Sequence, residues 1–556
     1  MASIAPYTST LGLKNAKHLL RRTCYMQTKS MIDAFAAMTP AAAVDQLFTI
    51  PEHLTPEPID PQTMDYFVNQ GTEALTANNG LKKLVIAWWS EEARKDTSIS
   101  HKLEFFLHSI FITSFKEGQA LENFDYLTLF RMCSTNFKNG SFEMGSLKNL
   151  ALKMVTDNVM IKYLNGRSNV KGKPNENFAR EFFELFTIGK GLQIGPGNYT
   201  NYTEDDIVAA AKVLTGWINK KRIFGPGGDP EYRDPDTGMQ RALARYNKHD
   251  TTDKQFSAAF DNKLITGAVD QEDMWRELKD FVDMIFDQDA TAVSYCRRMY
   301  TFFVSAKVTP EIEEDIIQPM AETLLSNDYH IESALRQLLQ SRHFYDEDDG
   351  NKGDEIIGGS VKSPFEIAMH TLSFFNIESP DRLTDTDNHY KRWYRLTFSD
   401  IILTQGALPI FYPNNVAGYP AYYQEPNFKR NWFTTTTLIS RYKLADILLT
   451  GKRVLAGGNN GGVQLDIVDF IDNSGVVSNP YSASALVSDL TNYLLATEPM
   501  PDRASYFLDV FLDDLSPINW DFEWGNYKTT GNSDAIRIPL ETLFRTLISS
   551  QEYQLM

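Results

Sequence analysis

Apolar residues recur along most of this chain at intervals of three and four, the spacing that gathers them on one face of an α-helix. The clearest run is Asn175 to Trp217, NENFAREFFELFTIGKGLQIGPGNYTNYTEDDIVAAAKVLTGW. Phe178, Phe182, Leu185 and Phe186 form the apolar face, while Glu176, Arg180, Glu181 and Glu184 fall towards the other side, with Arg180 one helical turn from both Glu176 and Glu184. Gly189 and Gly191 predict a stop. Thr203 followed by Glu204, Asp205 and Asp206 predicts an N-cap with an acidic first turn, and Ile207, Ala211 and Leu214 carry a second helix to Gly216.

The pattern elsewhere is similar. Near the start, Leu13, Leu19 and Leu20 are expected to turn inward on a helix, with Lys14, Lys17 and Arg21 turned outward. Residues 31–48 predict two short helices broken at Thr39-Pro40, then a connection through Pro51, Pro56, Pro58 and Pro61. Leu81, Leu84, Val85, Trp88 and Trp89 mark the next helix. The segment 102–115, KLEFFLHSIFITSF, is apolar nearly all round, which predicts a helix buried inside a bundle and places His108 in hydrophobic surroundings. Helical patterns continue over 119–133 and 145–164. Residues 221–270 are dense in turn-formers without sustained periodicity, a long loop or small hairpin insertion. Helices return over 272–286, 289–306, 310–326 with a kink at Pro319, and 330–343. Pro364 and Glu366 begin another, 405–420 suits a rigid non-helical cap, and a further helix is expected near 433–450. AGGNNGG at 456–462 has the composition of a linker.

The expected fold is therefore mainly α, a large multi-helix bundle with long irregular loops and at most a small β-hairpin insertion. Four regions are distinguished: 1–220, carrying the signature helices; the irregular insertion 221–270; a second helical region 271–455 with its Pro/Gly-rich cap; and a C-terminal helical region 456–556. Together they are expected to form one continuous domain.

Composition narrows the function classes. With 556 residues, 42% hydrophobic and 12% aromatic, the chain can fill a substantial core. A net charge of -18 argues against a nucleic-acid partner, whose phosphates would be repelled. Cys24, Cys133 and Cys296 lie far apart with no CxxC spacing, so neither a zinc site nor a disulfide framework is expected. No run approaches the ~18 apolar residues of a membrane span, and Arg21-Arg22 is followed by no hydrophobic region of an export signal. The expectation is a cytoplasmic protein by default, with the cell envelope or export alongside a partner as the alternative.

Several blocks resemble a bacterial family, domain of unknown function 1800 (DUF1800). HLLRRT at 18–23 is similar to its opening block and KLEFFLHSIFITS to its Phe-Trp-His-Asn-His-Phe block. NENFAREFFELFTIGKG with YTEDDIVAAAKVLTGW is similar to the family hallmark almost position for position. His249-Asp250 with Lys254 resembles a His-Asp-x-x-x-Lys element, and VKSPFE at 361–366, FYPNNVAGYP at 411–420 and the terminal SSQEYQ resemble the remaining blocks. The chain departs from the pattern at Leu107 and Ile110, where the family has tryptophan and a second histidine, and at Tyr412 and Tyr419, where it tends to have proline and tryptophan. The resemblance implies no established reaction. It does imply a partner, because members are often encoded beside proteins of DUF1501, a family that looks related to sulfatases and alkaline phosphatases.

Candidate chemistry rests on few residues. Glu176, Glu181 and Glu184 beside Arg180 could bind a cation or act as an acid–base pair, or could be an ion-paired face that fixes the helix. His108 is either a hydrogen-bonded core histidine or a ligand or base. His249 could be oriented by Asp250 if the fold bends them together, with Lys254 as an anion contact or salt-bridge partner. Asp234-Pro-Asp236-Thr-Gly238 and Asp346-Glu-Asp348-Asp-Gly350 have the alternating oxygens of calcium loops without the full ligand set, and are read as solvated acidic turns. GxSxG, Walker-type and HExxH motifs are absent. The leading expectation is a binding or assembly subunit working with a co-encoded partner. The alternative is a hydrolase-like enzyme with Glu181, Glu184, His249 and Asp250 as catalytic candidates and Glu176, Arg180, His108 and Lys254 as binding candidates; no cofactor is specified beyond room for a divalent cation. A third reading, surface carbohydrate binding, rests on Tyr412, Tyr419, Tyr422 and Tyr423.

Overall fold

Side-chain caps begin many of the helices where the sequence places them. Thr28 accepts from Met31 N and opens Lys29–Ala36; Thr39 accepts from Ala42 N and opens Pro40–Leu47 with proline in its first turn. Ser363 and Glu366 cap each other reciprocally at the start of Pro364–Phe374, and Thr203 and Asp206 do the same for Glu204–Val213. The computed structural model describes residues 2–50, 58, 79–219, 232–350, 355–381, 384–385, 389, 406–451 and 464–556. The linker candidate and all but Pro58 of the proline-rich connection lie outside the described residues.

The architecture is mainly α. Helices Asn79–Lys95, Ser100–Ile110 and Ala120–Ser134 pack together, and Ser100–Ile110 is buried on all sides save at Ser109, as expected of a segment apolar nearly all round. One continuous core runs from Leu11 to Tyr553. The pattern over 145–164 is two helices, Leu147–Val155 and Asn158–Tyr163, because the Asp157 carboxylate caps Val159 and Met160 and restarts the ladder. Ahead of Pro319 the helix widens into a π-turn, Glu313–Ile317, which accommodates the missing proline N–H without a break. Strand structure is limited to four two-stranded antiparallel pairs among the described residues. Two involve the insertion: Trp217–Ile218 with Leu243–Ala244, and Lys254–Gln255 with Leu264–Ile265.

The first helix overturns a sequence expectation. On the helix Gly12–Thr23, Lys17 and Arg21 are not turned to solvent: they are 4% and 1% exposed, and Arg22 is 1% exposed. The reason lies far along the chain. The helix Ala483–Leu494 ends against this one, and its last carbonyls have no partner within their own helix. Lys17 donates to Asn492 O and Leu495 O, and Arg21 donates to Tyr493 O and Leu494 O, so two cations close the negative end of that helix.

Candidate functional site

The signature helix begins as expected and then changes pitch. Asn175 caps Glu176–Glu181, and the helix continues as a π-turn over Phe182–Phe186, which lets Phe182, Phe183 and Phe186 all point inward. Phe183 meets Tyr202, Phe260 and Phe281. Arg180 donates two parallel hydrogen bonds to Glu204 on the second signature helix, at 2.8 and 2.6 Å, with Glu176 at 3.5 Å and Glu184 at 3.8 Å. Glu184 accepts from Tyr202 Oη and faces Lys190 at 3.3 Å. Glu181 is half-buried, and burial together with the Glu184 charge raises its carboxyl above the ordinary range. The signature face thus ties two helices together through a partly exposed ion network.

His249 lies elsewhere and faces a carboxylate that sequence proximity did not suggest. Its Nε2 is 3.0 Å from Glu277 Oε2, and its Nδ1 donates to Thr215 O at 2.8 Å. Lys254 reaches Glu277 Oε1 at 2.6 Å, so His249, Glu277 and Lys254 form one buried array. Asp250 does not orient the ring; its carboxylate accepts from Thr252 N and Oγ1 in a local turn. Gly216 is required here: with φ +81°, an added Cβ would lie 2.8 Å from Arg245 O and 3.0 Å from His249 N. No hydrogen bond or ion pair among the described residues joins Glu181 or Glu184 to His249 or Asp250. The same residues contain no group of three or more His, Cys, Asp and Glu placed to hold a metal ion.

His108 is fully buried between two phenols. Tyr126 Oη donates to Phe111 O, which leaves His108 Nδ1 as donor to Tyr126 Oη at 2.7 Å and Nε2 facing Tyr419 Oη at 3.2 Å. Burial pushes this imidazole down to about 3, so it stays neutral. Tyr419 is buried, Tyr412 and Tyr422 are half-buried, and Tyr423 is exposed. The first acidic turn is not solvated as expected, because Asp234 is buried against Lys153, which Asp236 also contacts; in the second, Asp346 accepts from Ile356 N and Ile357 N, and Asp348 meets His343.

Sequence reasoning missed a cleft of about 1570 Å³ bordered by Ser360, Lys429, Tyr300, His343 and Asp348. Lys429 Nζ is 3.2 Å from Ser360 Oγ and 3.1 Å from Phe302 O. Burial, aided by the Arg22 charge, brings this ammonium down to about 7. On the same cleft, Asp348 Oδ2 lies 2.7 Å from His343 Nδ1, and His343 Nε2 lies 3.0 Å from Tyr300 Oη. Ser360 is held by an antiparallel bridge to the end of the chain: Met556 N donates to Ser360 O and Lys362 N to Gln554 O, both at 2.9 Å. No spacing marks Ser360 or Lys429. The one legible sign of a buried polar interior was the helix Gly12–Thr23, which carries Lys14, Lys17, Arg21 and Arg22 and no carboxylate to pair them locally.

A family model described as a protein of unknown function, DUF1800, matches residues 18–555. The chain belongs to the DUF1800 family. No curated protein and no solved structure matches it. In this DUF1800 chain the second hallmark helix packs on the strand carrying Lys254, and His108 of the second block meets Tyr419 of FYPNNVAGYP. Arg21 and Arg22 of the first block, Lys102 of the second, Lys362 and Glu366 of VKSPFE, and Tyr553 of the last meet in the interior behind the cleft: Lys102 pairs with Glu366, Lys362 Nζ sits 4.0 Å from the centre of the Tyr553 ring, and Arg22 donates to Val304 O, Ile356 O and Met556 O.

Proposed function

We propose that the protein is a hydrolytic or acyl-transfer enzyme working in the cleft, with Ser360 as nucleophile and Lys429 as its base. The observation supporting this is the 3.2 Å approach of a desolvated lysine to a serine hydroxyl on the cleft wall. Lys429, neutral in part at physiological pH, takes the Oγ proton as Ser360 attacks an acyl carbon, and returns it to the leaving group; water then releases the acyl group by the same route. The cleft exceeds the ~300–1,000 Å³ usual for small-molecule sites, which favours an extended substrate. The hydrolase expectation is kept, while its residues move from the Glu181 and His249 regions to the cleft. Labelling with a fluorophosphonate and hydrolysis of activated esters test it. Both are expected to disappear in Ser360→Ala, and the rate is expected to rise with pH through about 7 as Lys429 deprotonates. Labelling that persists in Ser360→Ala would sink the assignment.

Assembly with a co-encoded DUF1501 protein is the second reading. It is favoured by Ile518 and Phe522, exposed one turn apart on the helix Pro517–Thr530, with Leu515 exposed just before that helix and Ile538 on the next. Co-purification from the native source that survives unchanged in Ile518→Asp with Phe522→Asp would remove this support.

A further inference from the structure

The interior behind the cleft holds seven cationic side chains, each less than a tenth exposed: Lys17, Arg21, Arg22, Lys102, Lys362, Lys429 and Arg441. Isolated charges taken out of water are costly unless paired, so their partners can be accounted for one at a time. Lys17 and Arg21 close the end of Ala483–Leu494. Arg22 and Lys429 donate to Val304 O and Phe302 O at the end of the helix Asp289–Phe303. Lys102 is paired with Glu366, whose other oxygen accepts from Ser363 N at 2.6 Å. Glu366 makes no hydrogen bond to the remaining two, although its charge acts on both.

Those two are Lys362 and Arg441. Arg441 donates only to neutral acceptors, Lys362 O at 2.9 Å and Gln554 Oε1 at 3.3 Å, and its Nε is unpartnered. Lys362 Nζ has no hydrogen-bond partner and rests over the Tyr553 ring. Arg21 keeps two further buried donors, Nε and Nη1, without acceptors, and its charge acts on both Lys362 and Tyr553. Unused donors of three cations from three distant segments thus lie about the buried Tyr553–Gln554 turn, and the carboxylate whose charge reaches Lys362 and Arg441, Glu366, is shared with Arg22, Lys102 and Lys429. Water could satisfy the hydrogen bonds but not the charge; a compact anion with several acceptor oxygens satisfies both.

We propose that Lys362, Arg441 and Arg21 form a buried binding site for a small tetrahedral oxyanion, of which inorganic phosphate and sulfate are the class. This site is separate from the Ser360–Lys429 pair, and its test needs no activity. The full chain, dialysed free of anions, is titrated calorimetrically with inorganic phosphate and with sulfate, and its thermal unfolding is followed with each at about 10 mM. One site per chain is expected, with affinity falling at least about tenfold in Lys362→Met and in Arg441→Met. Lys362→Met keeps the aliphatic stem, so it also separates the explanations if Arg441→Met does not fold. A Lys362→Met protein that folds and has lost the phosphate response supports the site. A wild-type chain with no response to either anion overturns it, as does a Lys362→Met chain that responds as the wild type does.

Discussion

Two helices of this protein carry charges that look alike in sequence and have opposite fates. The signature helix, Glu176–Glu181 with its π-turn, places Arg180 within reach of Glu176, Glu184 and Glu204, and the side chain keeps 32% of its surface in water. The first helix, Gly12–Thr23, has no carboxylate of its own, and its Lys17, Arg21 and Arg22 are buried against carbonyls from distant segments. A charged helix face is a solvent face only if its charges can be met locally or by water. Without local counter-charges, a run of cations is available to close another helix's C-terminus.

The comparison breaks most visibly at Arg22. Arg22→Met removes a donor from Val304 O, Ile356 O and Met556 O, the last two of which keep a backbone N–H, and should cost about 3 kcal/mol in urea unfolding. A loss below about 1 kcal/mol would mean that the buried cations are incidental. Lys254→Met, which leaves Glu277 buried beside a lone imidazole, should cost about 3 kcal/mol by the same measurement. Acid should then act on the interior before the signature face. Glu366 is held down at about 2 by its lysine neighbours, so its contribution is intact above its ordinary 4.5 and is lost as pH falls through 2. His108, neutral down to about 3, adds a penalty that grows as pH drops below 6.5. Asp157, raised to about 7 by burial, works the other way. Burial holds His18 and His370 well below their ordinary range as well, so three imidazoles outweigh this one carboxyl and the unfolding midpoint is expected to fall as pH drops from 6.5 towards 3, less steeply in His108→Gln. Arg180→Ala should cost no more than about 1 kcal/mol and lose its effect in high salt. The smallest change is expected for Glu181→Gln, within about 0.5 kcal/mol.

Helix positions were legible because their determinants are local. Thr39, Thr203 and Ser363 each cap the helix that starts at the next residue, and the run at 102–110, apolar nearly all round, is interior as its pattern indicates. The ion network of Arg180 was partly legible, since two of its three partners are one turn away; Glu204 was not, because only the turn through Gly189 and Gly191 brings it back. The insertion concealed Glu277 as the partner of both His249 and Lys254, because that pairing joins a loop to the buried face of the helix Asp273–Phe286. Nothing local marks Ser360 or Lys429. Their meeting depends on how a loop before the helix Pro364–Phe374 packs on residues 428–432, a long-range outcome that periodicity does not encode.

The bridge between residues 360–362 and 554–556 bears on the timing of synthesis. Ser360 leaves the ribosome well before Gln554 and Met556, yet its backbone finds its partners only when they arrive. A chain not yet extended through residues 554–556 would carry Ser360 and Lys429 without the backbone partners that set the serine's position. Whatever the cleft does therefore waits on residues made almost two hundred positions after its serine.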